Sequence, residues 1–278
     1  MGKRTSQLTQ LTAAQVAQGD FLPIVDVSAG QTKYITVKDL TGAPDFGWAA
    51  TGESWSYSSW DSTRRMGVVT VPTDATTKYT PKMRVRFSQT TGGTKYAIIH
   101  AVSATTLTLH FPSGTTLNNE AITSPVYSGL DTPVGFPTDQ TTWVLEWTST
   151  AQINVGAIAL AATITNVTGA NLPLGKGIWD VSFFAYGQIT HAGTTYLNQI
   201  LGLSTSNNSW SDAQLKSQGT TINLSTTQGD GSQSRSKRIL LSSDATLYLN
   251  TQAANPNTTQ YVNGTVSTTV IRAISAYL

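Results

Sequence analysis

The sequence predicts a mainly β protein in three parts, and three observations carry that prediction. Charged residues make up only 12% of the chain, and its polarity comes instead from uncharged side chains, 46 of them threonine. Threonine is β-branched and suits a pleated, half-exposed surface, so this composition favours strands over long helices. Apolar residues alternate with a period of two in short runs separated by Gly-, Pro- and Asn-containing turns, and helical signals are confined to the first twenty residues. The three parts are an N-terminal docking segment over 1–44, a small β module over 45–138 and a C-terminal antiparallel sandwich over 139–278.

Composition also excludes function classes. The net charge of +2 points to no nucleic-acid polyanion as partner, and the absence of cysteine removes disulfides, thiol nucleophiles and Cys-based metal sites. No apolar run approaches the roughly 20 residues of a membrane span. The opening MGKRTSQLTQ has a basic pair but lacks the apolar core of a secretory signal. Seven Trp, ten Tyr and seven Phe can close several small cores, so the chain is not of the disordered class.

Taken in order, Thr12 can cap a helix whose Ala- and Gln-rich run ends at Gly19. FLPIVDV (21–27) and KYITVKDL (33–40) predict two strands joined through Gly30. A helix with one hairpin is too small to hold a core, so it must dock elsewhere, and Phe21, Leu22, Ile24 and Tyr34 are the candidate docking residues.

From Trp48 the pattern becomes short strands: GWAATGESWSYSSW, MGVVTV, KMRVRF, KYAIIHAV and TTLTLHF. Thr90–Thr94 (TTGGT) predicts a hairpin turn. In KMRVRF, Met83, Val85 and Phe87 alternate with Lys82, Arg84 and Arg86, giving one apolar and one basic face. About five such strands would make a compact barrel or an open sheet. LDTPVGFPTDQTT (130–142) has two prolines and a glycine and no periodicity, which places a boundary there.

Beyond it, strands recur at the spacing of a sandwich. In GIWDVSFFAYGQI (177–189), Trp179, Val181, Phe183 and Ala185 fall on one face. Its expected partner is VSTTVIRAISAYL (266–278), apolar on both faces. Such a strand can face its own core one way and another subunit the other, which makes Ile271, Ala273 and Tyr277 candidate subunit-interface residues.

Chemistry-bearing residues are sparse. His100 and His110 sit on adjacent predicted strands and could meet, but no third ligand has metal-site spacing. No G-x-S-x-G elbow occurs. The carboxylates Glu53, Asp61, Glu120, Asp131, Asp139, Glu146 and Asp180 are not set in an acid- and aromatic-rich cleft signature and suit turns or solvated sites. Basic groups cluster at Arg64-Arg65, Arg84/Arg86 and SRSKR (234–238). They fit either an anionic partner or charge protection of strand edges, the second more simply. Trp210 and Tyr261, with Asn208 nearby in sequence to Trp210, are candidate sugar platforms, although Trp210 serves equally well as a cap on its own sandwich.

Two stretches resemble bacteriophage virion proteins. LTQLTAAQVAQGDFLPIVDVSAGQTKYITVKDL is similar to the N-terminal segment of many phage tail-fibre and head-fibre chains. The middle stretch, from GWAATGESWSYSSW through KYTPKMRVRFSQTTGGTKYAIIHAVS to ITSPVYSGLDTPVGFP, is similar to a β module of phage and prophage virion proteins, departing from it at Ser54, Arg64-Arg65 and Pro81-Lys82. GIWDVSFFA, ATLYLNTQA and TVSTTVIRAISAYL resemble the trimeric jelly-roll head of tumour-necrosis-factor-like and complement-type globular domains. The resemblance implies a non-enzymatic, cofactor-free structural protein on the phage particle, a homotrimeric head or tail fibre or decoration protein. Its N-terminal segment would contact other virion proteins and its C-terminal jelly roll would face outward. The alternative is a receptor-recognition tip for host surface glycan, and, further off, a polysaccharide depolymerase.

Overall fold

The structure, a computed structural model, describes residues 21–26, 31–36, 47–158, 163–191, 196–218, 222–223, 228–253 and 258–278. The first two strands, β1 (Phe21–Asp26) and β2 (Gln31–Thr36), pair antiparallel, with Phe21 opposite Thr36, Leu22 opposite Ile35, Pro23 opposite Tyr34 and Ile24 opposite Lys33. The helix expected after Thr12 lies outside the described residues.

The middle of the chain forms seven strands where about five were expected. They are β3 (Ala49–Ala50), β4 (Ser56–Asp61), β5 (Met66–Thr70), β6 (Arg84–Gln89), β7 (Gly93–Val102), β8 (Thr106–His110) and β9 (Thr123–Ser128), in the antiparallel order β3-β9-β6-β7-β8-β5-β4. The β6–β7 hairpin turns at Gly92 and Gly93, both at positive φ (+80° and +61°), where a side chain is disfavoured. One face of this sheet closes over Trp55, Val69, Tyr79, Val85, Phe87, Leu107, Leu109 and Phe111, with aromatic pairs such as Trp55–Tyr79 meeting edge to face.

The basic face expected on Lys82, Arg84 and Arg86 meets solvent only in part: Lys82 is exposed and Arg86 half-buried. Arg84 is 1% exposed and lies where the sheet meets the rest of the chain.

The remaining strands are β10 (Val144–Ser149), β11 (Gln152–Ile158), β12 (Ile164–Leu174), β13 (Gly177–His191), β14 (Tyr196–Leu197), β15 (Gln199–Ser204), β16 (Lys216–Gln218), β17 (Ile222–Asn223), β18 (Gln228–Leu241), β19 (Ala245–Ala253), β20 (Thr258–Asn263) and β21 (Thr269–Ser275). Among the described residues, β14 and β17 pair only with each other. The rest make two antiparallel sheets. In the first, β18 lies along one edge of β13, while β21 and β20 share its other edge and carry β10 and β11 outside them. The second has the order β12-β19-β15-β16.

The predicted alternation in β13 is observed. Trp179, Val181, Phe183 and Ala185 are buried with Leu201, Leu203, Leu247 and Leu249 of the opposite sheet, and the predicted pairing with the C-terminal stretch runs from Trp179↔Ser275 to Phe184↔Val270. Two apolar faces meeting this way remove both from water, the main stabilising term of a sandwich.

The seven-stranded sheet and the sandwich interlock. Met66 of β5 inserts its side chain into the sandwich core. Phe136 and Trp143 of the connection stack with ring centroids 5.4 Å apart, over Ile98, Trp48, Tyr96, Tyr277 and Leu278. Three arginines then donate to backbone carbonyls across the junction: Arg64 to Leu174 (3.3 Å), Arg65 to Thr142 (2.8 Å) and to Val144, and Arg84 to Tyr277 (2.6 Å). Burial pulls the Arg65 and Arg84 guanidinium pKa values down from the usual arginine range, with Asp131 opposing this at Arg84. These clusters therefore staple the chain to itself.

Candidate assembly face

The outward face of the first sheet has nothing over it among the described residues. Register sets its side chains in rows across the strands. Val144, Ile274, Asp180 and Arg238 form one row, then Glu146, Arg272, Ser182 and Ser236, then Thr148, Val270, Phe184 and Ser234. Each of the first two rows holds one acid–arginine pair. Arg238 donates in a two-pronged fashion to Asp180 at 2.8 and 2.7 Å, and Arg272 donates to Glu146 at 2.8 Å. The Arg238 hydrogen bonds and charge hold the Asp180 carboxyl below its ordinary range against a modest opposing effect of burial. Small serines on β13 and β18 leave a shallow groove of about 270 Å³ bounded by Asp180, Ser182, Ser236, Arg238, Arg272 and Ile274. Apolar side chains flank it: Phe184 is 36% exposed and Leu240, at the junction end, 73%.

The expected interface residues are placed differently. Ile271 and Ala273 face inward and are fully buried in the sandwich core, and Tyr277 packs in the junction. Their apolar character is thus accounted for within one chain, and the outward residues of β21 are Val270, Arg272 and Ile274. The sequence left the two faces undecided because both are apolar; only the register against β13 separates them.

The expected sugar platform is not assembled. The Trp210 ring lies over Gly202, where a Cβ would come within 2.9 Å of it, and its indole N–H donates to Gln252 at 3.1 Å. Gly202 falls between the inward Leu201 and Leu203, so Trp210 covers the outer face of the second sheet. Asn208, at φ +57°, accepts the Asn166 N–H at 2.6 Å beside it. Tyr261 pairs in register with Gln188 and Asn154 on the outer face of the first sheet, the other side of the sandwich. The cap reading of Trp210 is the one the geometry favours.

His100 and His110 do meet, with ring centroids 5.1 Å apart, but at the buried junction against Trp179 (5.0 and 5.1 Å). Among the described residues, no three His, Cys, Asp or Glu side chains gather as metal ligands. The carboxylates considered above are each taken up separately. Glu53 is held by Tyr79, Thr73 (2.7 Å), Trp55 (3.3 Å) and Lys78, Asp61 by Arg64, Glu120 by the Thr91 N–H, Asp131 by Lys82, and Asp139 caps a short 3-10 turn. Phe21, Leu22, Ile24 and Tyr34 lie in the β1–β2 hairpin.

No profile of a known protein family matches the sequence, and no curated protein sequence matches it. Among solved structures, the chain has a likeness to infectious bursal disease virus Gx strain, at 9% identity and a TM-score of 0.28, covering 91% of this chain and 68% of that one. It has a similar likeness to the VP2 subviral particle of the same virus (8%, TM-score 0.27, 91% and 67%) and to PorU from Porphyromonas gingivalis (9%, TM-score 0.24, 81% and 24%). Scores at this level assign neither a family nor an activity.

Proposed function

We propose that this chain is a non-enzymatic structural protein of a phage particle, a homotrimeric head or tail fibre or decoration protein that self-associates through the outward face of its first sheet. The observation that carries the reading is that face: a sheet surface with two neutralised ion-pair rows, a serine-lined groove and exposed Phe184 and Leu240. Charge neutrality lets such a surface be buried without leaving an unpaired ion, and exposed aromatic and aliphatic groups supply the apolar contact.

The strand order supports a jelly-roll reading of the sandwich. Counting β10, β12, β13, β15, β16, β18, β19 and β21 as strands one to eight, the two sheets have the orders 1-8-3-6 and 2-7-4-5. The sequence resemblance of residues 8–40 and of the middle module to phage virion chains supports the placement on a particle. On this reading the N-terminal segment makes the contacts with other virion proteins.

Phe184→Asp tests the face. It adds a charge at an exposed position, so the fold is retained while association weakens by at least tenfold in analytical ultracentrifugation. Gln214→Asp, on the exposed turn near the second sheet, serves as the control and leaves association unchanged. Unaltered association in Phe184→Asp removes this face from the proposal.

A further inference from the structure

The histidine pair lies where the seven-stranded sheet and the sandwich meet, and it is chemically unusual. His110 is fully buried, and neither of its ring nitrogens has a hydrogen-bond partner among the described residues. His100 is 2% exposed; its Nε2 lies 2.7 Å from the Ser275 hydroxyl and its Nδ1 3.3 Å from the Lys176 carbonyl, both in the sandwich. We propose that this junction is an acid-sensitive latch, closed while both imidazoles are neutral and opened when either takes up a proton.

The groups packed against the two rings are cationic or aromatic, apart from one carbonyl and one hydroxyl. From the sheet, the His100 ring and the Arg65 guanidinium both disfavour charge on His110. From the sandwich come the Trp179 indole, the Tyr277 ring (5.0 Å from His100) and the Lys176 carbonyl, and from the connection comes Trp143, 5.7 Å from His110. The phenol of Tyr277 titrates above its ordinary range, because burial outweighs its hydrogen bonding with Ile178, so it stays neutral in acid. Asp244 spends its carboxylate on the Lys176 N–H (2.9 Å), and Arg84 adds a second cation at the Tyr277 carbonyl. No carboxylate among the described residues hydrogen-bonds either ring. Burial accordingly pushes His100 down to about 3, against a small opposing effect of the Lys176 carbonyl, and His110 well below its ordinary value.

The sign follows. An opened junction returns each imidazole to water, where it titrates near 6.5, so below about pH 6.5 the open form binds more protons than the closed one. Opening is therefore insensitive to pH above about 7. It rises by up to about tenfold per pH unit for each histidine from there down toward the closed-state pKa values. Connection-borne Phe136 and Trp143 leave the junction together with the rings.

Amide hydrogen exchange on the full chain, corrected for intrinsic rates, tests this at pH 7.5, 6.5, 5.5 and 4.5. Amides of Tyr277, Leu278 and Phe136 should lose at least a hundredfold in protection between pH 6.5 and 4.5, while Leu249 and Val85 in the two cores keep theirs. His110→Leu and His110→Gln, run in parallel, should each halve the logarithmic slope, whatever they do to protection at pH 7.5. A merely structural role would shift protection equally at every pH. Flat wild-type protection across the range overturns the latch, as does a slope in either folded variant equal to the wild type's.

Discussion

Replacing Arg84 by alanine should be among the most damaging single substitutions in this chain, because the side chain is a buried cation with three carbonyl partners. Its Nε donates to the Asp131 carbonyl at 3.0 Å, and Nη1 donates to the carbonyls of Lys82 at 2.7 Å and Tyr277 at 2.6 Å. The guanidinium also sits 5.0 Å from the Phe136 ring. A hydrogen bond from a charged donor contributes about 1.5–3 kcal/mol, and a stranded buried carbonyl costs about 1–3 kcal/mol. The Asp131 and Lys82 side chains are 60% and 56% exposed, so water can replace Arg84 on those two sides; the Tyr277 carbonyl, inside the junction, bears both the lost bond and its own stranding. The sum is about 3–5 kcal/mol. Arg84→Lys keeps the charge but not the fork that serves three directions at once, and should recover less than half of it. Urea unfolding followed by tryptophan fluorescence reads both variants through the transition midpoint. A loss under about 1 kcal/mol for alanine, or a lysine variant as stable as the wild type, would refute the idea that Arg84 staples the two units.

Other outcomes follow from single contacts. Gly177→Ala should destabilise the chain by about 2–4 kcal/mol in the same assay, since Gly177 has φ +144° and a Cβ there would lie 2.5 Å from His100 Nδ1. Trp210→Ala should cost about 2 kcal/mol by uncovering Gly202, and leave binding on a glycan array unchanged from wild type. Glu53→Gln should weaken the seven-stranded sheet by about 1–3 kcal/mol at neutral pH. Burial alone would push the Glu53 carboxyl up, but donation from Tyr79, Thr73 and Trp55 and the charge of Lys78 outweigh it and hold it below the ordinary range. Its contribution is therefore present above about pH 4.5 and lost as pH falls further, and thermal melts at pH 6 and pH 3.5 should show the glutamine variant losing less on acidification than the wild type.

Local patterns were the legible part of the sequence. Period-two alternation marked β13 and its inward residues, and the Gly92-Gly93 pair marked the β6–β7 turn, because both depend only on neighbours along the chain. What stayed hidden depends on pairing between distant strands. Ile271 and Val270 are equally apolar, and only the register Phe183↔Ile271 sends one into the core and leaves the other outside. Arg84 alternates like a surface cation, yet the sandwich and the connection cover the second face of the seven-stranded sheet where it sits, and no periodicity distinguishes a residue facing solvent from one facing another unit. Trp210 and Tyr261 are similarly aromatic and loop-adjacent in sequence, but the two sheets between them put them on opposite sides. The one hint of the junction was the pair His100 and His110 on neighbouring strands, whose meeting was foreseeable while its burial was not.

Self-association through the first sheet would be visible in the mass of the wild-type chain in solution. Sedimentation velocity at micromolar concentration and neutral pH should give a single species of three times the 29.6 kDa chain. A species at the mass of one chain across the same concentrations would contradict it.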